Sequence, residues 1–160
     1  MSRRALAVVA ACGVLSYNVS SCGAAAQTPA AEADAETAIR GALVQWTADF
    51  NGREAARICD LFAPDLVYDY RGFPERGHAD LCALLRRSLA DRTKQFTYAL
   101  DIKEIIVSGD LAVVRLVWTL TTTLPGASTP VVSMEPGLDV FRRQPDGSWK
   151  IVRYIAYEAP

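Results

Sequence analysis

Asp139 and Arg153 are the residues whose chemistry depends most on how the chain pairs with itself. Pro145-Asp146-Gly147 separates two stretches that alternate apolar and polar residues. If Arg143 lies opposite Trp149 across that turn, then Phe141 faces Ile151 and Asp139 faces Arg153, all on one side of a sheet. An arginine so placed holds the carboxyl in its charged form and offers a docking point for a ligand carboxylate or carbonyl. Losing either partner would then leave a lone buried charge. A shift of one residue puts the two side chains on opposite faces instead. Tyr68 and Tyr70 stand one strand period apart and could point two hydroxyls at a ligand, or belong to a half-buried edge strand. Trp46 and Trp118 fall on apolar faces and read as core or pocket wall.

His78 is the one histidine in the chain and stands where a helix opens, as exposed cap neighbours commonly do. With one histidine and no C-x-x-C, no metal site is expected. Cys59 and Cys82 could form a disulfide in an oxidising compartment or remain two buried thiols. Asp65 follows Pro64 and fits a turn-organising role.

The elements that must hold these residues change period along the chain. Ile39, Leu43, Trp46 and Phe50 make one helical stripe, predicting a helix over Ala35–Phe50 ended by Asn51-Gly52, with the glycine as a left-handed cap. A second, short helix is expected over Glu54–Phe62 and a third over Ala79–Asp91. Leu66–Tyr70 reads as a short strand. From Phe96 the period becomes two: strands are predicted from Phe96 to Lys103, Leu111 to Thr123, Val131 to Arg143 and Trp149 to Glu158, the third kinked at Glu135-Pro136-Gly137. The expected fold is therefore α+β. Three N-terminal helices pack on a curved, mostly antiparallel sheet and enclose a cone-shaped cavity.

One hundred and sixty residues with net charge −1 make one domain, and the charges form no basic stripe, which argues against a nucleic-acid partner. Arg3 and Arg4 followed by an apolar run to Val19 read as an export signal over residues 1–26. Val19-Ser20-Ser21-Cys22 has the form of a bacterial lipobox with Cys22 lipidated, and Ala24-Ala25-Ala26 of an ordinary cleavage site. The expected location is the periplasm or the outer face of a bacterial membrane, with membrane contact only through a lipid anchor. Residues 27–34 read as a flexible tether and 35–160 as the working domain.

Asp49-Phe50-Asn51-Gly52, Asp60-Leu61-Phe62-Ala63-Pro64-Asp65, Gly77, Leu138-Asp139-Val140-Phe141 and Asp146-Gly147-Ser148-Trp149-Lys150-Ile151-Val152, in this element order, resemble the nuclear transport factor 2-like superfamily, in its SnoaL-like and ketosteroid isomerase-like branch. The resemblance spans about Glu36 to Glu158. In ketosteroid isomerases a carboxylate base works with a tyrosine and a protonated aspartate. By that resemblance the tyrosine position falls on Trp46, the base position on Tyr70 with Asp69 beside it, and the aspartate on Asp139. Tyrosine is a poor base near neutral pH. The catalytic candidates are thus Asp139, Tyr70 and Asp69. A pocket of Trp46, Tyr68, Tyr70, Trp118, Asp139 and Arg153 would bind a small, partly apolar molecule without a cofactor. The alternatives are an isomerase, cyclase or dehydratase acting by proton transfer, and a non-catalytic dimerising module. Val113, Val117, Thr119 and Thr121 form a second, rather apolar sheet face suited to a homodimer.

Overall fold

The computed structural model describes residues 28–160. The expected signal and Cys22 lie outside the described residues. Helix α1 spans Pro29–Asn51, β1 Phe62–Tyr70, β2 Arg76–Gly77, α2 His78–Ala90, β3 Gln95–Ser108, β4 Leu111–Thr123, β5 Val131–Arg143 and β6 Trp149–Ala156. Among the described residues the fold is α+β with a curved six-stranded sheet and two helices, one fewer than the sequence suggests.

Residues 29–34, expected as part of a tether, are the opening turns of α1. Thr28 caps the helix through its side chain and Pro29 occupies the first turn, where its missing N–H is harmless. Alanine-rich sequence then favours the helix over coil. Ala35, Ile39, Leu43, Trp46 and Phe50 are buried along one stripe. At the other end the left-handed residue is Arg53, with φ 58°, rather than Gly52. The Arg53 guanidinium donates to the carbonyls of Leu89, Asp91 and Lys94, closing the C-terminal end of α2.

No helix forms over residues 54–61. The segment is a chain of turns with bonds such as Arg57 N–H to Glu54 O and Asp60 N–H to Arg57 O. Eight residues are too few for a helix to stand on local bonds. The turns are pinned instead by three contacts: Trp46 Nε1 donates to Ile58 O at 2.9 Å, Arg57 pairs with Asp49, and Cys59 is bonded to Cys82 of α2. Burial of Asp49 strengthens the ion pair's hold on this loop, and Gln45 also donates to the same carboxylate.

The sheet order is β2-β1-β6-β5-β4-β3. β3 to β6 form an antiparallel meander, whereas β1 pairs with β6 in parallel. β3 continues to Ser108, past the expected end at Lys103, because an irregularity between Ile102 and Glu104 reverses the alternation and turns Ile105 and Val107 inward. β5 runs unbroken through Pro136. The Pro136 carbonyl accepts from Tyr157, so its missing N–H faces the side where pairing with β6 stops after Gly137–Ala156.

A second irregularity decides the site. Arg143 lies opposite Trp149 and Phe141 opposite Ile151, as the turn implies. Val152 is then an extra residue on β6, so Val140 faces Arg153 and Asp139 faces Tyr154.

Candidate functional site

Asp139, Tyr154, Tyr68 and Arg76 are successive partners across β5, β6, β1 and β2, and they form one polar row on the inner face. The next row along the strands is Leu116, Gly137, Ala156 and Tyr70. Beyond it Trp118 pairs with Glu135. With Leu81, Leu84 and Leu85 of α2, Trp46 of α1 and Phe73 of the loop after β1, these residues line a pocket of about 300 Å³.

Asp139 is 4% exposed and among the described residues has no hydrogen-bond or ion-pair partner. Burial alone pushes its carboxyl up to about 7. Tyr154 stacks on Tyr68 with ring centroids 4.5 Å apart. The Tyr68 hydroxyl is buried and makes no hydrogen bond. Burial raises the Tyr154 hydroxyl well above its ordinary value, so it remains a donor. Two rows away, Tyr98 donates to Glu135 at 3.4 Å. Burial raises Glu135, with the Tyr70 and Tyr98 hydroxyls opposing that shift. Tyr70 is pushed up to about 12 by burial and then by Glu135 and Glu158.

The structure corrects several expectations. Arg153 is exposed on the outer face and donates to the carbonyls of Asp65 and Val152, so it neither pairs with Asp139 nor lines the pocket. The extra residue Val152 is the cause. Asp139 is consequently a carboxyl without a counter-ion, not a paired carboxylate. Asp69 is exposed and lies opposite Ile155, away from the pocket, since it alternates with Tyr68 and Tyr70. The Trp46 indole N–H is occupied by Ile58 O and is not presented to a ligand. Leu84 of α2 is 41% exposed at the pocket rim.

Trp46, Tyr68, Tyr70, Trp118 and Asp139 do line the pocket together. His78 is half-buried at the start of α2 with its Nε2 3.5 Å from Cys82 Sγ, and stands outside the pocket lining. Asp65 forms a two-oxygen pair with Arg142 on the outer face. Sequence reasoning missed Tyr98, Glu135, Gly137 and Tyr154. Tyr98 was legible as an inward position of β3. Glu135 and Gly137 were hidden by reading a kink at Glu135-Pro136-Gly137, and Tyr154 by the extra residue in β6.

Among solved structures the fold matches a ketosteroid isomerase-like protein from Erwinia carotovora, with TM-score 0.63 and 24% identity over 78% of this chain and 96% of that one. It also matches a conserved protein from Planctomyces limnophilus, with TM-score 0.69 and 19% identity over 80% and 98%. A nuclear transport factor 2-like protein with a cystatin-like fold from Novosphingobium aromaticivorans matches with TM-score 0.65 and 23% identity over 79% and 82%. No curated protein matches the sequence. The fold is thus of the nuclear transport factor 2-like class. Within it, residues 43–154 match the SnoaL-like domain, and the chain belongs to that family.

Proposed function

We propose that the pocket binds a small, partly apolar molecule carrying a carbonyl or hydroxyl group, and that Asp139 exchanges a proton with it. The observation that carries this reading is the buried, unpartnered Asp139 carboxyl at the pocket wall. An unsatisfied buried polar group costs stability, and groups of this kind concentrate where a ligand completes them. A carboxyl that titrates near neutrality can donate to a carbonyl oxygen and take a proton back. The aromatic and leucine walls supply the apolar contact. The likeness to a ketosteroid isomerase-like protein is consistent with chemistry of this class.

The test is hydrogen–deuterium exchange next to the carbonyl of 2-tetralone, followed by NMR in D2O near pH 7. The protein should accelerate exchange over buffer, and Asp139→Asn should lower that acceleration about 100-fold. Binding without acceleration would leave the alternative of a carrier, which the apolar walls favour. Neither binding nor acceleration would remove the reading.

We further propose that the domain acts outside the cytoplasm, held by a lipid on Cys22. The apolar run and the lipobox support this. Mass spectrometry of the protein from native membranes should find a start at lipidated Cys22 or at Gln27; an intact Met1 would refute both. A second copy is proposed to cover the outer sheet face, where Val132, Met134, Leu138 and Ile155 are exposed. Sedimentation at micromolar concentration should give a dimer, and a monomer alone would count against it.

A further inference from the structure

The Cys59–Cys82 disulfide joins two segments that each contribute to the pocket wall. One is the run of turns over residues 54–61. Its Ile58 carbonyl holds the Trp46 indole, and Leu61 at its end lines the pocket. The other is α2, whose Leu81, Leu84 and Leu85 line the pocket as well. The turns are otherwise held by the Trp46–Ile58 and Asp49–Arg57 contacts. Helix α2 is otherwise held by packing on β1 and β2 and by Arg53 at its C-terminal end. Among the described residues the disulfide is the one covalent cross-link between them.

His78 stands one helical turn before Cys82, with Nε2 3.5 Å and Nδ1 3.9 Å from its sulfur. Among the described residues the imidazole has no other polar partner. While the disulfide is intact that contact is weak, because a disulfide sulfur carries no charge. It strengthens when the bond opens, since a Cys82 thiolate accepts a charge-assisted hydrogen bond from the ring. In thiol–disulfide exchange the better-stabilised thiolate is the better leaving group. His78 therefore directs an attacking thiolate to Cys59 and favours departure of Cys82. Burial points the same way, with Cys59 8% and Cys82 3% exposed.

We propose that Cys59–Cys82 is a second reactive site, a disulfide that exchanges with dithiols, and that its state sets how firmly the pocket walls are held. The thiolate of a dithiol reductant attacks Cys59 Sγ. The bond between Cys59 and Cys82 breaks, its electron pair leaves on Cys82 Sγ, and His78 supplies that sulfur with a hydrogen bond or a proton. The reductant's second thiolate then displaces Cys59 from the mixed disulfide, and Cys59 takes up a proton. The protein gains two electrons and the two protons that the dithiol gives up, and the reductant ends as a disulfide. With the cross-link gone, the turns and α2 move independently, and the walls carrying Leu61, Leu81 and Leu85 loosen. The exchange chemistry stands apart from the pocket reading; only its effect on affinity rests on that reading.

Differential alkylation with peptide mass analysis follows Cys59 and Cys82 in the full-length protein, apart from Cys12 and Cys22. With glutathione as a monothiol probe, the trapped mixed disulfide should sit on Cys59 about tenfold more often than on Cys82. His78→Leu should lower that ratio several-fold and slow reduction by dithiothreitol about tenfold, with the melting temperature of the oxidised protein nearly unchanged. In the reduced protein, amide hydrogens of residues 54–61 and of α2 should exchange about tenfold faster, while β3 to β6 keep their protection. Reduction should also weaken 2-tetralone binding about tenfold. A disulfide that dithiothreitol leaves intact in the folded protein would overturn the proposal. So would an adduct mainly on Cys82, an adduct ratio indifferent to His78→Leu, or equal hydrogen exchange in the two states. Loss of protection throughout β3 to β6 on reduction would also overturn it, since the cross-link would then hold the whole fold. If 2-tetralone binds neither state, the pocket reading falls, and the adduct and exchange measurements still decide the reactive site.

Discussion

Asp49 and Asp139 are the two buried acidic residues among the described ones, 6% and 4% exposed, and they use the same carboxyl in opposite ways. Asp49 accepts from Gln45 and Arg57 and ties α1 to the turns over residues 54–61. Asp139 has no such partners and faces a cavity. A buried carboxylate with its hydrogen-bond capacity filled is a joint. One left unfilled carries a standing energetic cost, which a binding site can use. The Arg57 side chain of the joint is about half exposed and reaches solvent.

The sharpest way to break this comparison is pH. The folded-state value of about 7 for Asp139 lies above the ordinary 3.8. Below about pH 4 the group is neutral whether the chain is folded or not. Between there and about pH 7 unfolding releases its proton, so this group's contribution to stability falls as pH rises, and above about 7 the full penalty is present. The range amounts to about 4 kcal/mol. Asp139→Asn should remove it, so in urea denaturation the variant should gain on the unaltered protein by about that amount between pH 4 and pH 8. Parallel curves for the two proteins would show that Asp139 is not the solitary acid described.

The disulfide comes next. Cys59–Cys82 closes a loop with a sequence separation of 23 residues, and chain entropy assigns such a loop about 3 kcal/mol. Replacing both cysteines by serine should lower the unfolding free energy by roughly that amount and loosen the same turns that Asp49 holds. A change below about 1 kcal/mol would mean that the Asp49 joint alone is sufficient.

Asp49→Ala should cost about 2 kcal/mol at neutral pH, the penalty for leaving Gln45 and Arg57 without their acceptor, moderated because Arg57 can rehydrate. Affinity for 2-tetralone should be unchanged, which separates the joint from the site. The smallest effect belongs to the outer face. Asp65 is held below the usual carboxylate range by Arg142, but both side chains are about half exposed. Asp65→Asn should change stability by less than about 1 kcal/mol, and less still at high salt.

Much of this architecture is written in period. The stripe Ile39, Leu43, Trp46, Phe50 and the alternation from Phe96 onward place α1 and the meander, because burial on one face imposes those spacings. What the sequence hides is where the period slips. A single extra residue, Val152, exchanges Arg153 for Tyr154 at the position facing Asp139 and changes a salt bridge into a solitary acid. Nothing in Ile151-Val152-Arg153-Tyr154 announces that slip. It is favoured by keeping the arginine wet and stacking the tyrosine on Tyr68. The start of α1 is a different case: Thr28-Pro29 carries a readable cap, overshadowed by the alanines after it, which suit a tether as well as a helix. Glu135 was obscured for a third reason: a proline inside a strand suggests a kink, which leaves the facing of its neighbours open unless the adjoining strand is known to stop there.

The parallel pairing of β1 with β6 fixes the order in which the molecule can assemble. Hairpins β3–β4, β4–β5 and β5–β6 join neighbours in the chain and can form early. Tyr68 meets Tyr154 at a sequence separation of 86, a closure that pays its loop entropy before any contact rewards it. The polar row from Asp139 to Arg76 is therefore the last part of the sheet to be completed. A nascent chain lacking β6 leaves β1 with only the two-residue β2 as a partner, and its would-be pocket is an open apolar surface suited to a chaperone until the final strand arrives.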